Sequence, residues 1–201
     1  MTIPLEIIDL SKSYDLKEAV RNISFKVNEN EIIGILGPNG CGKTTTIGMI
    51  LGLLKPSKGK VLINGIEIEK QRVDLLNELN FISPYIELPK KLTVKQNLEV
   101  YGRLYDVKEL ENKIDYLCEK LRLNEFINKI TGELSSGQKN RVSLAKSIIN
   151  DPSVLLLDEP TASLDPETGD FVRSFLEEYQ KEKKTSILLA SHNMAEVERL
   201  C

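Results

Sequence analysis

The chain has 201 residues, 41% hydrophobic and 28% charged, a composition typical of a folded globular protein and not of a disordered or fibrous one. Its 27 basic and 30 acidic side chains give a net charge of −3, which argues against a nucleic-acid-binding surface. Three widely spaced cysteines argue against a disulfide framework and fit a reducing compartment, and a single histidine excludes a metal cluster built from several histidines.

The N-terminal region predicts short strands followed by a helix. Three β-rich runs separated by polar residues indicate an antiparallel opening that leads into a buried strand, namely 5–10, 23–27 and 31–36. From 44 to 54, apolar residues recur at helical spacing after a glycine-rich loop. Residues 60–68 then predict a hairpin that turns at Asn64-Gly65.

The middle of the chain, roughly 86–150, predicts a helical subdomain. Thr93 and Gln96 form a capping-box pattern at the start of one helix, and a second apolar stripe begins at Leu110. The flanking segments, about 1–85 and 151–201, are then expected to form one β-rich core within a single domain over 1–201.

The C-terminal part predicts a return to parallel sheet. The short apolar runs 154–157 and 187–190 are typical of buried parallel strands, and a helical stripe from Phe171 to Tyr179 separates them. The last helical pattern stops at Cys201 without a terminal cap, so we expect the chain to be truncated at its C-terminus. No secretory signal is expected, and no apolar run approaches the roughly 20 residues that span a bilayer.

A phosphate-binding loop is predicted at 37–44, where Gly-Pro-Asn-Gly-Cys-Gly-Lys-Thr matches G-x-x-x-x-G-K-[ST] between a strand and a helix. Lys43 is expected to reach the β- and γ-phosphates of a nucleoside triphosphate, and the Thr44 hydroxyl to ligate Mg²⁺. The alternative is a glycine-rich turn that only caps a helix. The predicted nucleotide contacts from this segment are Gly37, Pro38, Asn39, Gly40, Cys41, Gly42, Lys43, Thr44 and Thr45.

A second candidate site follows the run 154–157, where Asp158 and Glu159 stand at the end of a predicted parallel strand. Because successive strand residues point to opposite sides, Asp158 is expected to face Mg²⁺ and Glu159 to face the attacking water as general base. The alternative is a strand that leaves the core for solvent. The phosphate loop in the same chain favours the catalytic interpretation.

A third candidate is Leu134-Ser135-Ser136-Gly137-Gln138, directly before a predicted helix. Hydroxyls and free N–H groups at a helix N-terminus hold anions, but a serine that only caps the helix is the commoner arrangement. Taken alone, this segment favours the cap.

Together these motifs resemble the nucleotide-binding domain of an ATP-binding cassette transporter over nearly the whole chain. LSSGQ at 134–138 is similar to the family's signature motif, and the phosphate loop and LLLDEP at 155–160 are similar to its two Walker motifs. Asp165 ends a segment that resembles the D-loop, His192 resembles the switch histidine, and Tyr14 stands where the family has an aromatic residue against adenine. Without the resemblance, each residue has an ordinary alternative. Asp165 would be a helix cap, His192 a packed core histidine and Tyr14 a surface residue.

The resemblance implies an α/β fold with a P-loop NTPase core around a parallel sheet, an antiparallel β subdomain and a helical signature subdomain. It implies ATP and Mg²⁺ as cofactors, with Thr44 and Asp158 as metal ligands and Lys43, Glu159 and His192 in hydrolysis. It also implies a head-to-tail homodimer in which Ser135, Gly137 and Gln138 of one subunit, together with Asp165, complete the ATP site of the other.

The partners that the resemblance implies are a second nucleotide-binding domain and a transmembrane permease subunit, with no nucleic acid. The permease would hold the chain at the cytoplasmic face of the membrane, and the overall likeness is nearer the exporter branch. The alternative is a soluble cassette ATPase, an ATP-gated clamp on a non-membrane partner such as DNA or ribosomes, although heptads and a basic patch are missing. A module that binds nucleotide without hydrolysing it is disfavoured by Glu159 and His192.

One segment departs from the family pattern. Where the family has a Gln that touches Mg²⁺ and moves with the membrane partner, this chain has Ser83-Pro84-Tyr85. Proline has no side-chain amide and no N–H, so we expect the Ser83 hydroxyl to take the place of the Gln. The segment 85–89 is expected to receive a helix of the membrane subunit.

Overall fold

The structure is a computed structural model that describes residues 3–15, 17–84 and 86–201. The strands are β1 (Leu5–Tyr14), β2 (Lys17–Val27), β3 (Ile32–Leu36), β4 (Lys58–Ile63), β5 (Ile66–Glu67), β6 (Leu79–Ile82), β7 (Val154–Asp158) and β8 (Ser186–Ser191). The helices are α1 (Lys43–Ile50), α2 (Arg72–Leu76), α3 (Val94–Leu104), α4 (Leu110–Lys120), α5 (Ser136–Ser147), α6 (Pro166–Lys183) and α7 (Met194–Leu200). Among the described residues, none of these helices has the length and apolarity to cross a membrane.

The strands form two sheets of different kinds. The first has the order β2-β1-β4-β5 and is antiparallel, and the second has the order β3-β8-β7-β6 and is parallel. The predicted α/β fold with a parallel core and an antiparallel β region is therefore confirmed. The carboxyl ends of β3, β6 and β7 lie at one edge of the parallel sheet, which is where ligands bind in such folds.

The hydrophobic core has two parts, one on each face of the parallel sheet. Leu155 and Leu157 of β7 pack with apolar residues of α3, α4, α5 and α6, whereas Val154 and Leu156 pack with α1 and the antiparallel sheet. Strand alternation sends these side chains to opposite faces, and helices or sheet cover both faces. This explains why the run 154–157 is apolar without interruption.

Two local structures that the sequence predicts, a helix cap and a hairpin turn, are present in the fold. The capping box is present at α3, where Thr93 Oγ1 accepts a hydrogen bond from Gln96 N and Thr93 N donates to Gln96 Oε1. The turn between β4 and β5 has positive φ at both Asn64 (51°) and Gly65 (79°), as a two-residue type I′ hairpin turn requires.

The predicted helix from 44 to 54 ends four residues early, at Ile50. Gly52 adopts a left-handed φ of 63°, and both Leu53 N and Leu54 N donate to the Gly48 carbonyl, which closes the helix. Leu54 still packs against the core. The apolar spacing therefore predicted its burial correctly, although Leu54 lies outside the helix.

Strand β6 was missed because Asn80 interrupts its apolar pattern. Asn80 is 1% exposed, and its side chain is satisfied by Lys146 of α5 and by Asn150, with Asn80 Nδ2 donating to Asn150 Oδ1 at 2.8 Å. Burial also lowers the pKa of Lys146 to about 8. The strand depends on these tertiary partners, and it leads directly to Ser83.

Candidate nucleotide site

The loop between β3 and α1 takes a conformation that glycine permits. Gly42 has a φ of 100°, and a Cβ at this position would lie 2.4 Å from the Ala19 carbonyl oxygen, so no other residue fits. At the other end of the loop, Gly37 N donates to the carbonyl of Ser191 in β8 at 3.2 Å. The loop is therefore anchored at both ends, and α1 begins directly after it at Lys43.

Lys43 occupies the centre of this loop. Its ammonium donates to the carbonyls of Gly37 at 2.6 Å and Pro38 at 3.2 Å, and the side chain is 6% exposed. The same ammonium lies 3.4 Å from Glu159 Oε1. The fold thus holds a buried cation at the start of a helix, a place that favours bound anions.

The two predicted metal ligands meet at the edge of the parallel sheet. Thr44 Oγ1 donates to Asp158 Oδ2 at 3.1 Å, and Ser83 Oγ donates to the same oxygen at 3.3 Å. Asp158 is 1% exposed, and burial raises the pKa of its carboxyl while the bonds from Thr44 and Ser83 oppose that shift. Its other oxygen, Oδ1, is buried and accepts no hydrogen bond from the described residues. Hydroxyl and carboxylate oxygens with one unpaired buried acceptor fit Mg²⁺.

Glu159 lies just beyond β7, and its side chain is held from two sides. Oε1 faces Lys43, and Oε2 lies 2.7 Å from Nδ1 of His192. Because Glu159 is outside the strand and has a left-handed φ of 52°, the alternation argument used for the two acids does not apply to it. Both acids are buried, so the alternative of a strand leaving the core for solvent is wrong.

His192 follows β8 at the rim of the same site. Its side chain is 53% exposed, so the alternative of a packed core histidine is wrong. The bond to Glu159 makes it a partner of the predicted general base, although no sequence spacing predicted that pair.

Tyr14 is the last residue of β1 and is 46% exposed. Together with Asn39, Gly40 and Thr45 it lines a cleft of about 350 Å³ that continues to Lys43 and Thr44. The ammonium of Lys12 lies 5.1 Å from the ring centroid. Tyr14 is therefore a surface residue, but one at the mouth of the phosphate-loop cleft.

The predicted signature and D-loop residues lie at the N-termini of two helices. Ser135 Oγ accepts from Gln138 N, and Ser135 N donates to Gln138 Oε1, a capping box that opens α5. Asp165 Oδ1 accepts from Thr168 N at 2.9 Å, which lowers the pKa of Asp165 and caps α6. The capping alternatives are thus present, and a role towards nucleotide stays a prediction for Ser135, Gln138 and Asp165. Gly137 lies against Thr168, since a Cβ at Gly137 would come 3.3 Å from that side chain.

Several residues near Glu159 were not anticipated from the sequence. Asn140 of α5 donates to the carbonyl of Pro160 at 2.7 Å. Glu196 of α7 accepts hydrogen bonds from the hydroxyls of Thr161 and Ser191. Glu196 has the sequence context of a surface acid on a charged helix, so only its burial distinguishes it.

Comparison with known proteins identifies the family. The family model described as ABC transporter matches residues 20–162. The chain is 34% identical to "ABC transporter ATP-binding protein NatA" of Bacillus subtilis, over 98% of this chain and 82% of that protein. It is 40% identical to "Nod factor export ATP-binding protein I" of Rhizobium johnstonii, over 99% of this chain but 64% of the longer protein.

A solved structure agrees with this result. The dimeric post-hydrolysis structure of the ATP-binding cassette MJ0796 bound to ADP and Pi superimposes with a TM-score of 0.87 at 25% identity, covering 97% of this chain and 90% of that one. The phosphate loop, the two acids and the parallel sheet of the present chain are therefore parts of a known type of nucleotide-binding domain. The chain belongs to the ABC transporter family, as an ATP-binding cassette.

Proposed function

We propose that the protein hydrolyses ATP to ADP and phosphate and so powers transport through a separate transmembrane permease. One observation carries the proposal: Lys43, Thr44, Asp158 and Glu159 converge within hydrogen-bond or ion-pair distance at the carboxyl edge of the parallel sheet. Phosphoryl transfer needs positioning and charge stabilisation more than covalent chemistry, and these residue types supply both. Family membership supports the ATPase activity and the permease partner.

Each residue has a distinct task in this mechanism. The Lys43 ammonium binds the β- and γ-phosphates and offsets the charge that develops during transfer. Thr44 and Asp158, with Ser83 bonded to the same carboxylate, would hold Mg²⁺, which when bound neutralises phosphate charge. Glu159 accepts the proton of the attacking water, and His192 holds the Glu159 carboxylate in place through its Nδ1.

The catalytic unit that we propose is a head-to-tail homodimer. Ser135 accepts a hydrogen bond from Gln138 N within its own helix, which leaves the hydroxyl proton of this exposed serine to donate to a phosphate of the other subunit. Gly137 and Gln138 would approach the same phosphate at the start of α5, and Asp165 would lie at the subunit interface. The dimeric arrangement of the MJ0796 cassette supports this assembly.

The division of the chain follows from these tasks. Residues 1–85 and 151–201 form the nucleotide-binding core in this proposal, and 86–150 form the helical subdomain that carries Ser135 at one end of α5. Transport is in the outward direction, as the name of the Nod factor export relative supports. The permease would hold the protein at the cytoplasmic face of the membrane.

The permease contact is proposed for the segment that follows β6. Ile86 is 50% exposed, and Pro84, Ile86 and Leu88 line a cavity of about 300 Å³ against Asn140 of α5. Tyr85, predicted as part of this contact, lies outside the described residues. An apolar, proline-bordered wall next to Ser83 is suited to an apolar helix of the membrane subunit.

The function is tested by phosphate release from ATP with and without Mg²⁺, measured on the chain alone and with vesicles containing the membrane protein encoded beside it. We expect Mg²⁺-dependent hydrolysis and ATP-dependent retention of the chain on these vesicles but not on empty ones. A neighbouring protein with about six apolar segments of some 20 residues would identify the permease. Hydrolysis without retention would favour the alternative, an ATP-gated clamp on a non-membrane partner.

Tyr14 is expected to stack on adenine. Tyr14→Ala should raise the dissociation constant of ATP roughly 5- to 150-fold, since base–aromatic stacking contributes about 1–3 kcal/mol. Tyr14→Phe keeps the ring and should bind ATP like the wild type. Nucleotide titration decides the matter, and equal affinity in Tyr14→Ala would leave Tyr14 as an ordinary surface residue.

Ser83 is expected to support hydrolysis through its bond to Asp158. Because the Gln that moves with the membrane partner is missing, we expect the partner to influence the ATPase rate less. Ser83→Ala should lower basal ATPase activity, because Asp158 loses one of its two hydroxyl donors. The wild-type rate should depend little on the permease, and Pro84→Gln should make it depend more. Rates of all three proteins with and without the permease are compared. Strong stimulation of the wild type, together with an unchanged rate in Ser83→Ala, would contradict both parts.

A further inference from the structure

Glu196 of α7 is a buried carboxylate outside the residues assigned above. It is 2% exposed, and Oε1 accepts a hydrogen bond from Thr161 Oγ1 at 2.6 Å while Oε2 accepts one from Ser191 Oγ at 2.7 Å. Both lengths lie in the ordinary range for a hydroxyl that donates to an oxygen. A carboxylate buried to this extent is stable only while such donors are present, so the three side chains act as one unit.

The two donors lie in the two segments that carry the Glu159–His192 pair. Thr161 belongs to the loop that follows Glu159, and Ser191 directly precedes His192. The backbone joins the same segments once more, because Glu159 N donates to the carbonyl of Ala190 at 2.8 Å. Glu196 therefore bridges the two segments whose side chains meet in the bond of 2.7 Å between Glu159 Oε2 and His192 Nδ1.

Glu159 needs such support because of its own backbone. Its φ of 52° lies in the left-handed region, which a residue other than glycine occupies at a cost unless its surroundings hold it there. Asn140 holds the loop from one side through the Pro160 carbonyl, and Glu196 holds it from another side through Thr161. Neither Asn140 nor Glu196 lines the cleft at the phosphate loop, so both hold the Glu159 loop from outside that cleft.

We propose that Glu196 is a positioning residue for hydrolysis, which fixes the Glu159 loop and the His192 segment relative to each other through Thr161 and Ser191. This inference rests on the proposed ATPase function and deepens it. Nucleotide binding should be largely independent of Glu196, because Lys43 and Thr44 make their contacts elsewhere. The bond from Gly37 N to Ser191 joins backbone atoms and does not require the Glu196 side chain.

The first test separates turnover from binding. Glu196→Ala is expected to lower kcat for ATP at least about tenfold, since displacement of a catalytic group by about 1 Å costs up to roughly 100-fold. The dissociation constant of ATP should stay within about twofold of the wild-type value, a change of less than half a kcal/mol. Glu196→Gln, which keeps the shape and one carbonyl acceptor, should recover much of the rate.

The matched control is Glu198→Ala on the same helix. Glu198 is exposed, so its loss should leave kcat and ATP affinity unchanged. If Glu196→Ala loses ATP affinity and thermal stability in parallel with kcat, Glu196 is only structural and the proposal fails. If Glu196→Ala turns over at the wild-type rate, the proposal also fails, while the proposed ATPase function stands.

The second test uses the hydroxyl partner. Thr161→Val removes one hydrogen bond with little change of volume, and it should lower kcat by itself but add nothing in the Glu196→Ala background. Additive losses in the double variant would show independent roles and overturn the proposal. Thr161→Val also decides the question if Glu196→Ala does not fold. A wild-type chain without ATP turnover would refute the proposed function itself, and this inference with it.

Discussion

Glu159→Gln is expected to bind ATP normally, to stop hydrolysis and to accumulate as an ATP-bound dimer. The amide keeps the shape of the carboxyl group but cannot accept the proton of the attacking water, so kcat should fall by about 10²- to 10⁴-fold. ATP would then remain between the two subunits. Phosphate release measures the rate, and light scattering with ATP and Mg²⁺ measures the mass of the particle.

Two further variants make this result specific. Glu167→Gln makes the same chemical change at an exposed residue of α6 and should hydrolyse ATP at the wild-type rate. Ser135→Ala in the Glu159→Gln background should weaken the ATP-dependent dimer. Because Ser135 also caps α5, the stability of the variant is measured too. Loss of the cap alone is expected to lower the free energy of unfolding by about 1 kcal/mol.

The outcomes are clear for both residues. A Glu159→Gln protein with full activity would mean that another group is the general base. A Ser135→Ala variant that dimerises normally with ATP would refute the contact between subunits.

Lys43→Ala is expected to remove productive ATP binding, which means a weaker affinity for ATP and a larger loss of turnover. The ammonium is the cation that the loop holds at its centre, and loss of a charged hydrogen bond costs about 1.5–3 kcal/mol, or roughly a 10- to 150-fold weaker affinity. The variant also leaves Glu159 without its neighbouring cation, so turnover should fall further than affinity.

The matched control is Lys17→Ala, because Lys17 is an exposed lysine that lines the same cleft. Solvent and salt screen such a charge, so this variant should change ATP affinity only slightly. Nucleotide titration of both proteins distinguishes a fixed phosphate ligand from general positive charge. Unchanged affinity and turnover in Lys43→Ala would mean that the phosphate loop does not bind the nucleotide.

Much of the fold was predictable because its signals are local. The Asn64-Gly65 turn, the Thr93 capping box and the apolar run before Asp158 each depend on residues within a few positions of one another. The phosphate loop is local as well, since its glycines, Lys43 and Thr44 all lie within residues 37–44. These features indicated the antiparallel opening, the helical middle and the return to parallel sheet, and they pointed to the nucleotide site.

Contacts between distant segments could not be predicted in this way. Asn80 of β6 is buried with its side chain bonded to Lys146 and Asn150, and neither partner is close to it in sequence. The early end of α1 is different, because it is a local feature: Gly52 takes a left-handed φ of 63°, and the apolar spacing of the segment 44–54 does not show it.

The same distinction applies to the candidate site. The sequence by itself determined which residues are candidates for the chemistry, because Lys43, Thr44, Asp158 and Glu159 stand in short motifs with recognisable spacing. Only the tertiary structure decided how they are held, since Glu159 meets His192 of the segment after β8, and Glu196 joins Thr161 to Ser191 across 30 residues of chain. Side-chain burial and hydrogen bonding between loops depend on the packing of α5, β7, β8 and α7 together, and no local pattern encodes that packing.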